Sequence, residues 1–548
     1  MISELVSAEL QLARQRRMVE ALREPGCYGH AVGAVRILET HISFVVLTGT
    51  YAYKIKKSVN LGFVDFTTLE RRRFYCGEEM RLNSRLAPHI YLEVVPISGT
   101  PQAPRVGDPA APIEYAVRMR EFPQQALADR VLARGELSAP HLDLLAGQVA
   151  QFHSSAAVSA ADGDPCATPG AIAAAAEENF AQMRALPELA ANLPLLEDVE
   201  SWSRREHTRL DEVFAQRKRD GAVRECHGDL HLGNIAILDD VPCVFDCVEF
   251  NADYRWIDVS SEVAFLSMDL RAARRPDLAR RFINAYLEAT GDYAGLRVLR
   301  YYVAFRATVR AKVNLFRADQ LAPGSEELGP LLERCHDYLV LARSCAQAAR
   351  GFLIITHGLS GSGKTTLSGT LVELTGAIRI RSDVERKRMS GLAPEQRSGS
   401  VVADGLYSAD STESTYTRLL GLAQIILAAG YGAIVDATFL KCGQRSRFRD
   451  LAAQAGVPFL IVDFTASEET LRTRIRARSE TGGDASEADL AVLEYQLRTQ
   501  EPLQPEESRQ TFFHDANTAL ENAKSTGNWD GLFRRLSLDP AAPDAGHK

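Results

Sequence analysis

A phosphate-binding pattern stands in the second half of the chain. Residues 358–365 read Gly-Leu-Ser-Gly-Ser-Gly-Lys-Thr and fit the spacing GxxxxGK[ST]. An apolar run precedes the pattern at 352–355 and helix-like residues follow it, so the loop is predicted to join a strand to a helix N-terminus, whose amides favour phosphate oxygens. Lys364 can reach the outer phosphates, and the Thr365 hydroxyl can hold Mg²⁺. The predicted nucleotide site consists of Gly358, Ser360, Gly361, Ser362, Gly363, Lys364, Thr365 and Thr366.

A second and unrelated pattern lies more than a hundred residues earlier. Residues 227–234 read His-Gly-Asp-Leu-His-Leu-Gly-Asn, and Val-Phe-Asp follows at 244–246. The catalytic loop of protein kinases has the form HxDxxxxN, in which the aspartate takes the hydroxyl proton while the asparagine and a later aspartate hold metal ions. Asp229 and Asn234 have this spacing. Each half of the chain is therefore predicted to be a kinase.

The size and charge of the chain limit its class. A chain of 548 residues is too long for a single core. Hydrophobic residues make up 46% and charged residues 24%, which is ordinary for globular proteins. The net charge of −8 gives no general attraction to nucleic acid or to an anionic membrane. The predicted partner is a small-molecule or nucleotide hydroxyl acceptor, and nucleic acid is not favoured.

Cysteine usage and the N-terminus indicate the compartment. The nine cysteines are scattered and contain no CxxC pair, which is typical of a reducing environment. The first 22 residues mix charged and apolar residues, without the continuous apolar run of a signal peptide or a membrane span. We therefore predict a cytoplasmic protein with no membrane partner.

The apolar patterns predict two different architectures. The first half has strand patterns followed by helical ones, and its strands are predicted over 35–38, 42–47, 51–56, 91–97 and 113–119. A helix is predicted over 69–86 and a loop over 98–112. In the second half, strands alternate with helices and are predicted over 352–355, 378–381, 433–436 and 459–464. This alternation predicts a parallel sheet covered by helices on both faces.

The first half resembles a known family in its second pattern. The residues HGDLH and the later Asp246 are similar to those of aminoglycoside phosphotransferases and choline kinases, a branch of the protein-kinase superfamily. The resemblance covers roughly the first 340 residues and implies an α+β protein-kinase-like domain that uses ATP and Mg²⁺. It implies that Asp229 deprotonates the acceptor hydroxyl and that Asn234 and Asp246 bind Mg²⁺.

The same resemblance assigns roles to a lysine and a glutamate. Lys54 is implied to hold the α and β phosphates of ATP and to pair with an acidic residue of the following helix. Glu79 is favoured because it lies on the apolar stripe of that helix, and Glu78 is the alternative. Lys56 and Lys57 are interpreted as solvated charges at the end of a strand.

One departure from the protein-kinase pattern leaves an alternative open. The segment between the first two strands contains Glu39-Thr40-His41 in place of the glycine-rich GxGxxG. Aminoglycoside-type phosphotransferases also lack the full glycine motif, so the departure agrees with the resemblance. A half that binds ATP without catalysing transfer stays the alternative interpretation.

The second half resembles P-loop kinases of the polynucleotide-kinase and zeta-toxin type, which are often labelled AAA-type ATPases. The similarity rests on Asp383 and Arg386, a DxxR pair that follows the phosphate loop. It implies an α/β P-loop NTPase domain in which Asp383 is the general base and Arg386 binds the acceptor. On a helix these two side chains share one face. The alternative is that Asp383 caps the helix and Arg386 is a solvated charge.

Three further residues complete the predicted site of the second half. Asp436 ends the strand predicted over 433–436, at the edge where open α/β sheets bind ligands, and it is predicted to order Mg²⁺. Arg474 and Arg478 share a face of a predicted lid helix, where arginines can neutralise the charge of the transition state.

These features predict a two-domain ATP-dependent phosphotransferase. The domain limits are 1–345 for the kinase-like part and 350–532 for the P-loop part, with a boundary near Ala349 and a disordered tail over 533–548. Both halves are predicted to bind MgATP and to transfer the γ-phosphate to hydroxyl groups. Two alternatives remain: the P-loop half is an ATPase switch that regulates the first half, or it is a polynucleotide 5′-hydroxyl kinase.

Overall fold

The computed structural model describes residues 2–62, 64–160, 163–322, 324–347, 351–393, 396, 408–481, 486–517 and 525–538. The predicted boundary at Ala349 and the end of the predicted tail, from residue 539, lie outside the described residues. The chain divides into a first unit, Met1–Ile172 with Ala215–Leu266, and a second unit, Ala173–Phe214 with Ser267–Lys548. The predicted domain limits stay a prediction, but the predicted disordered tail is wrong for residues 533–536, which lie in a helix over Asp530–Leu536.

The first unit contains an antiparallel sheet of six strands. These strands are β1 Arg36–Glu39, β2 Ser43–Leu47, β3 Tyr51–Lys56, β4 Tyr91–Thr100, β5 Ala103–Val106 and β6 Glu114–Arg120. Their order in the sheet is β1-β2-β3-β6-β4-β5. The prediction of a loop over 98–112 is wrong for β5. This strand is short, contains Pro104 and lies at the sheet edge, where a proline is tolerated and an apolar alternation is not required.

Helices and two short strand pairs complete the first unit. Its helices are α1 Ile2–Ala21, α2 Leu69–Asn83, α3 Ala128–Ala133 and α4 Ala139–Ser155. The additional strands are β7 Val223–Glu225, β8 Ile235–Leu238, β9 Val241–Val244 and β10 Trp256–Asp258, paired as β7 with β10 and β8 with β9. Cys76 of α2, Tyr91 of β4 and Cys243 of β9 share one apolar core. This core holds the β8–β9 pair against the sheet.

The second unit begins with a group of helices. In chain order they are α5 Pro169–Arg184, α6 Leu193–Arg219, α7 Val259–Ala272, α8 Pro276–Thr290, α9 Leu296–Asp319 and α10 Leu328–Ser344. The first three of these helices lie partly in each unit. α9 and α10 pack against each other.

The rest of the second unit is a parallel sheet with helices. Its strands are β11 Leu353–His357, β12 Ile378–Arg381, β13 Ala433–Asp436, β14 Phe459–Thr465 and β15 Thr511–Asp515. All neighbouring strands are parallel, in the order β12-β13-β11-β14-β15, which confirms the predicted architecture. β15 was not predicted, because its sequence Thr-Phe-Phe-His-Asp lacks an apolar run.

Helices connect these strands. They are α11 Lys364–Thr375, α12 Ser382–Met389, α13 Ala409–Ala428, α14 Cys442–Ala455, α15 Glu468–Thr481, α16 Leu490–Thr499, α17 Pro505–Arg509 and α18 Asp530–Leu536. Ile354, Ile434 and Val462 of the sheet pack with Leu367 and Leu371 of α11. β11 is the central strand, so the phosphate loop that follows it leaves the middle of the sheet.

Two predictions about the environment of the chain can be compared with the structure. Among the described residues, no helix is both long enough and apolar enough to cross a membrane. All nine cysteines lie in the described part of the chain, and all are free thiols. The absence of a disulfide framework among them agrees with the cysteine spacing.

Candidate active sites

The first candidate site is built around the loop between β7 and β8. The Asn234 amide nitrogen donates to the Asp229 carboxylate (2.9 Å to Oδ2) and to the Asp229 main-chain oxygen (3.0 Å). His231 Nε2 lies 3.3 Å from the same carboxylate oxygen. The hydrogen bond from Asn234 holds the Asp229 carboxylate in position. The Asp229 side chain is 38% exposed, so a reactant can still reach the carboxylate.

The backbone of this loop is held from behind by buried groups. Glu262 accepts hydrogen bonds from the main-chain N–H groups of His227 (2.7 Å) and Gly228 (2.8 Å). His227 Nε2 lies 2.9 Å from the carbonyl oxygen of Phe245. Gly228 has φ +89, and a Cβ there would lie 2.7 Å from the carbonyl oxygen of Tyr254, so this position requires glycine. His227 therefore braces the loop.

Asp246 follows β9 in an uncommon backbone conformation. Its φ is +64, in the left-handed region, and its N–H donates to the Tyr91 hydroxyl (3.1 Å). The next residue, Cys247, donates its N–H to Asn83 Oδ1 (2.8 Å). Lys54 Nζ contacts Asp246 Oδ1 directly. The turn thus presents the Asp246 carboxylate toward the sheet of the first unit.

Two lysines of β3 share a network of three carboxylates. Lys54 Nζ lies 2.7 Å from Glu79 Oε1 and also contacts Asp246. Lys56 Nζ lies 2.7 Å from the other Glu79 oxygen and contacts Glu249. Glu79 therefore bridges both lysines. Glu78, the alternative partner of Lys54, instead pairs with Arg81 at 2.9 Å.

The electrostatics of the network follow from this arrangement. Burial alone would lower the pKa of Lys54, but Asp246 and Glu79 outweigh it, and the pKa lies well above its ordinary value. Burial likewise acts to raise the pKa of Glu79, but the two ammonium groups outweigh it and lower the pKa. Both lysines are therefore fully charged. The interpretation of Lys56 as a solvated charge is wrong, since its side chain is 0% exposed.

Lys57 was also interpreted as solvated, and this is wrong as well. It is buried, its Nζ contacts the carbonyl oxygen of Thr40, and it lies 2.7 Å from Glu39 Oε1. Strand alternation sends Lys57 to the opposite side from Lys56, against the turn between β1 and β2. That turn carries no glycine-rich sequence, and Lys57 ties down its backbone instead.

The second candidate site is the phosphate loop between β11 and α11. Gly358, Gly361 and Gly363 all have positive φ, at +136, +84 and +83. A Cβ on Gly358 would lie 2.6 Å from the carbonyl oxygen of Phe464, and one on Gly361 would lie 2.9 Å from that of Leu471. Larger residues at these two positions are excluded by both backbone conformation and space.

Lys364 lies inside this loop. Its Nζ donates to the carbonyl oxygen of Leu359 (2.7 Å) and lies 3.4 Å from Ser362 Oγ. Burial lowers its pKa to about 8, and the attraction of Asp436 does not offset this. Thr365 is half-buried and Thr366 is exposed. The loop therefore presents a desolvated lysine beside the two hydroxyl groups.

Asp436 stands at the end of β13 beside the first turn of α11. Its Oδ2 accepts a hydrogen bond from Ser368 Oγ (3.2 Å). Arg379 of β12 donates to the Thr365 carbonyl oxygen (2.8 Å) and to Ser368 Oγ (3.3 Å). Asp436 is buried. The structure therefore brings the predicted metal residues Thr365 and Asp436 to one edge of the sheet.

Asp383 and Arg386 form a pair on α12. Arg386 Nη1 lies 3.1 Å from Asp383 Oδ1, and the arginine side chain is mostly buried. The helix begins at Ser382 and its capping position is Arg381. The alternative of Asp383 as a helix cap and Arg386 as a solvated charge is therefore wrong. Both residues also lie close enough to Tyr416 to shift its pKa, which burial raises.

The two arginines of the predicted lid lie on α15. Arg474 Nη2 donates to the carbonyl oxygen of Ala516 (2.8 Å), and its guanidinium lies beside Gly363. Arg478 donates to the carbonyl oxygen of Ala488 (2.5 Å) and is close enough to Lys364 to lower its pKa. Both arginines therefore face the phosphate loop.

The donor sets of the two sites suit Mg²⁺. Asn234 uses its amide nitrogen on Asp229, which leaves Oδ1 as the atom that can bind a cation, and Asp246 adds a carboxylate. Thr365 and Asp436 offer a hydroxyl and a carboxylate at the P-loop. Hard oxygen ligands of this kind are the ones that Mg²⁺ prefers.

Several side chains of these sites were not predicted. At the first site they are Lys56, Glu249 and Glu262, and at the second they are Ser368 and Arg379. The signal for Lys56 was the alternation of β3, which places it on the same face as Lys54. The sequence carries no comparable local signal for Glu249, which comes from a distant segment.

The two candidate sites fall in regions that match different family models. Residues 78–299 match the model described as phosphotransferase enzyme family, and residues 353–503 match the model described as AAA domain. Both regions belong to kinase families, and such families imply the use of ATP. The chain is therefore a kinase.

Curated relatives define the family more narrowly. The chain is 32% identical over 459 residues to an uncharacterised protein of Mycobacterium tuberculosis (strain H37Rv), and the alignment covers 84% of this chain and 89% of the relative. An uncharacterised protein of Mycobacterium bovis gives the same values. The chain belongs to the same family as these mycobacterial proteins.

Solved structures give more distant similarities. A sugar kinase from Janibacter sp. HTCC2649 is 21% identical, with a TM-score of 0.27, over 36% of this chain and 99% of that chain. Amicoumacin kinase hAmiN in complex with AMP-PNP, Ca²⁺ and Ami is 13% identical, with a TM-score of 0.38, over 62% of this chain and 96% of that chain. Both alignments cover nearly all of the solved chain and part of this one.

Proposed function

We propose that the chain is a bifunctional ATP-dependent phosphotransferase in which each site binds MgATP and transfers the γ-phosphate to a hydroxyl group. We call the first site, Lys54, Glu79, Asp229, Asn234 and Asp246, the kinase-like site. The second, formed by the phosphate loop with Asp383, Arg386 and Asp436, is the P-loop site. The acceptors are small molecules or nucleotides.

One observation carries the proposal: the kinase-like residues come from four separate parts of the chain and form two contacting groups, which are linked by a main-chain hydrogen bond from Phe245 to Asn234. Lys54 joins Glu79 to Asp246, and Asn234 holds Asp229. Phosphoryl transfer depends on positioning and charge neutralisation, and this set supplies both. The Asp229 side chain is 38% exposed, so an acceptor hydroxyl can reach its carboxylate.

Each residue of the kinase-like site has a defined task in the proposed reaction. Asp229 orients the acceptor hydroxyl and takes its proton, while Asn234 keeps the carboxylate in place. Lys54 holds the α and β phosphates, and Glu79 keeps Lys54 in position. Asn234 Oδ1 and Asp246 would hold Mg²⁺, which when bound supplies positive charge against the triphosphate.

The P-loop site divides the same tasks differently. The amides of the glycine-rich loop and Lys364 hold the phosphates, and Thr365 with Asp436 would hold Mg²⁺. Asp383 takes the proton of the second acceptor, and Arg386 binds that acceptor. Arg474 and Arg478 neutralise charge that develops on the transferred phosphate. This role is supported by the Arg474 guanidinium beside Gly363 and by Arg478, which lies close enough to Lys364 to lower its pKa.

We also propose that the kinase-like domain covers 1–345 and the P-loop domain 350–532, in a cytoplasmic protein. The matched ranges 78–299 and 353–503 fall inside these limits. The nine free thiols are compatible with a reducing compartment.

The test is a transfer assay on the full chain. ATP labelled in the γ-phosphate is incubated with Mg²⁺ and pooled polyols, amino alcohols, sugars and nucleosides, and labelled products are separated. We expect one class of product to disappear in Asp229→Asn and a different class to disappear in Lys364→Ala. The double variant serves as the control without either activity.

The alternatives give different results in the same assay. Lys364-dependent release of phosphate that needs no acceptor would support an ATPase switch. Label on an added 5′-hydroxyl oligonucleotide would support a polynucleotide kinase. Transfer that persists in the double variant would contradict the assignment of both sites.

A further inference from the structure

Helix α8 contacts the P-loop region of the second unit along one edge of the parallel sheet. Arg280 donates to the carbonyl oxygen of Glu373 at the end of α11 (2.9 Å). Asn284 donates to the carbonyl oxygen of Ala377 (3.1 Å), and its Oδ1 accepts the main-chain N–H of Arg379 (2.7 Å). β12 is an edge strand, so Asn284 provides hydrogen bonds that a neighbouring strand would otherwise provide.

Glu288 lies one turn further along α8 and holds two arginines of β12. Its Oε1 lies 2.8 Å from Arg381 Nη1, and its Oε2 lies 3.3 Å from Arg379 Nη2. Its main-chain oxygen also accepts a hydrogen bond from Arg388 of α12. Burial alone would raise the pKa of Glu288, but Arg379 and Arg381 outweigh it and lower the pKa. Glu288 is therefore ionised and binds both guanidinium groups.

Arg379 continues the contact into the P-loop site. While Nη2 faces Glu288, Nη1 donates to the carbonyl oxygen of Thr365 (2.8 Å) and to Ser368 Oγ (3.3 Å). Ser368 Oγ in turn donates to Asp436 Oδ2 (3.2 Å). The guanidinium group is planar and its N–H groups point in fixed directions, so Glu288 determines where Nη1 lies.

We infer that Glu288 is a positioning residue of the P-loop site. Acting through Arg379, it fixes the first turn of α11 and the Asp436 carboxylate, and so sets the Mg²⁺ dependence of nucleotide binding there. The inference rests on the proposed binding of MgATP at the P-loop. Glu288 lies in the range 78–299 matched by the phosphotransferase family and outside the range 353–503 of the AAA domain. A residue of the region that matches the phosphotransferase family thus helps to position the P-loop site.

The test measures binding of the fluorescent nucleotide mant-ATP to the full chain at increasing Mg²⁺ concentration. Subtracting the signal of the same protein with an added Lys364→Ala substitution isolates the P-loop site. We expect Glu288→Gln to raise the Mg²⁺ concentration for half-maximal binding about 10-fold, because a charge-assisted hydrogen bond is lost. Glu288→Asp, which keeps the charge, should restore part of this loss.

A matched control separates positioning from general loosening. Arg281→Gln removes another ion pair between α8 and α11, in which Arg281 lies 2.6 Å from Glu373. It should lower the thermal midpoint and leave the Mg²⁺ dependence unchanged. If Glu288→Gln does not fold, Arg379→Lys replaces it, since a lysine keeps the charge but cannot contact Glu288 and Thr365 together; the same shift is expected.

Three outcomes of this test would each overturn the inference. An unchanged Mg²⁺ dependence in the folded Glu288→Gln variant, or in Arg379→Lys in its place, would overturn the inference. An equal shift in Arg281→Gln would also overturn it, since the effect would then be a loosened interface. A wild-type chain without any Lys364-dependent binding would overturn the proposed function and this inference with it.

Discussion

In the two candidate sites, the lysines that are proposed to bind phosphate are held in opposite ways. Lys54 and Lys364 are each only 9% exposed. Lys54 is paired with the carboxylates of Glu79 and Asp246, the latter 192 residues away in the chain, and its pKa is raised well above the ordinary value. Lys364 donates to a carbonyl oxygen five residues earlier, and burial lowers its pKa to about 8.

The difference concerns where the positioning groups come from. At the kinase-like site, side chains brought together by the tertiary fold position the lysine and balance its charge. At the P-loop site, a short stretch of backbone positions it. The first arrangement therefore depends on many distant residues, whereas the second depends mainly on glycines that allow the loop to turn.

The largest expected effect tests the division of tasks at the kinase-like site. Asp229→Asn should lower transfer at this site about 10²- to 10⁴-fold, because a general base is lost, and should leave ATP affinity nearly unchanged. Asp246→Ala should abolish Mg²⁺-dependent ATP binding as well, because it removes a metal ligand. Transfer rates and ATP affinities of both variants provide the check. An equal loss of ATP affinity in the two variants would contradict the assigned roles.

The corresponding pair at the P-loop site should separate in a similar way. Asp383→Asn should mainly lower kcat, by about 10²-fold or more, because Asp383 acts on the acceptor proton. Arg386→Ala should mainly raise the acceptor's KM and leave the KM for ATP nearly unchanged. Steady-state kinetics on the acceptor found in the transfer assay decide this, beside thermal melts. A destabilised Asp383→Asn enzyme with full kcat would defeat the catalytic assignment.

The third prediction concerns neighbouring lysines of the first unit. Lys56→Met leaves Glu79 and Glu249 buried with one ammonium group fewer, and should cost about 3–5 kcal/mol of stability. Lys57→Met, the matched control, removes a pair whose glutamate is 40% exposed and should cost about 1 kcal/mol. Thermal midpoints should therefore fall much further for Lys56→Met. Equal falls in the thermal midpoint would show that the Lys56 network contributes no more to stability than the pair of Lys57 with Glu39.

The smallest effect is a pH dependence in the first unit. Burial acts to raise the pKa of Glu225, but hydrogen bonds from Arg81 and Arg255 outweigh it and hold the pKa at about 2. The pKa of a glutamate in an unfolded chain is about 4.3. The contribution of ionised Glu225 to stability is therefore complete above that pH and is lost as the pH falls toward 2. The difference in thermal midpoint between wild type and Glu225→Gln should shrink between pH 6 and pH 3. A constant difference would contradict the assignment.

How far the sequence predicts the fold depends on how local each signal is. The parallel sheet is confirmed because three of its four predicted strands, β11, β13 and β14, are mostly apolar and buried along most of their length, while the fourth, β12, alternates isoleucine with arginine. The phosphate loop is a contiguous motif, so its residues are evident from the sequence. β5 and β15 were missed because an edge strand needs few apolar residues. The sequence therefore predicts those features whose pattern lies within one continuous segment.

The errors at the kinase-like site have a different physical cause. Lys56 and Lys57 were assigned to solvent because a charged side chain is normally exposed. Whether a lysine can be buried depends on carboxylates that reach it, and Glu249 lies 193 residues from Lys56. Glu79 was favoured because its helix showed an apolar stripe. The structure pairs it with Lys54, while its catalytic role stays a prediction.

The central claim is that the chain has two independent nucleotide sites, each with its own lysine. Its most direct test is the number of ATPγS molecules bound per chain in the presence of Mg²⁺, measured by equilibrium dialysis. We predict two for the wild type and one for each of the variants Lys364→Ala and Lys54→Ala. A wild-type chain that binds a single nucleotide, or a loss of both when Lys364 alone is replaced, would contradict the claim.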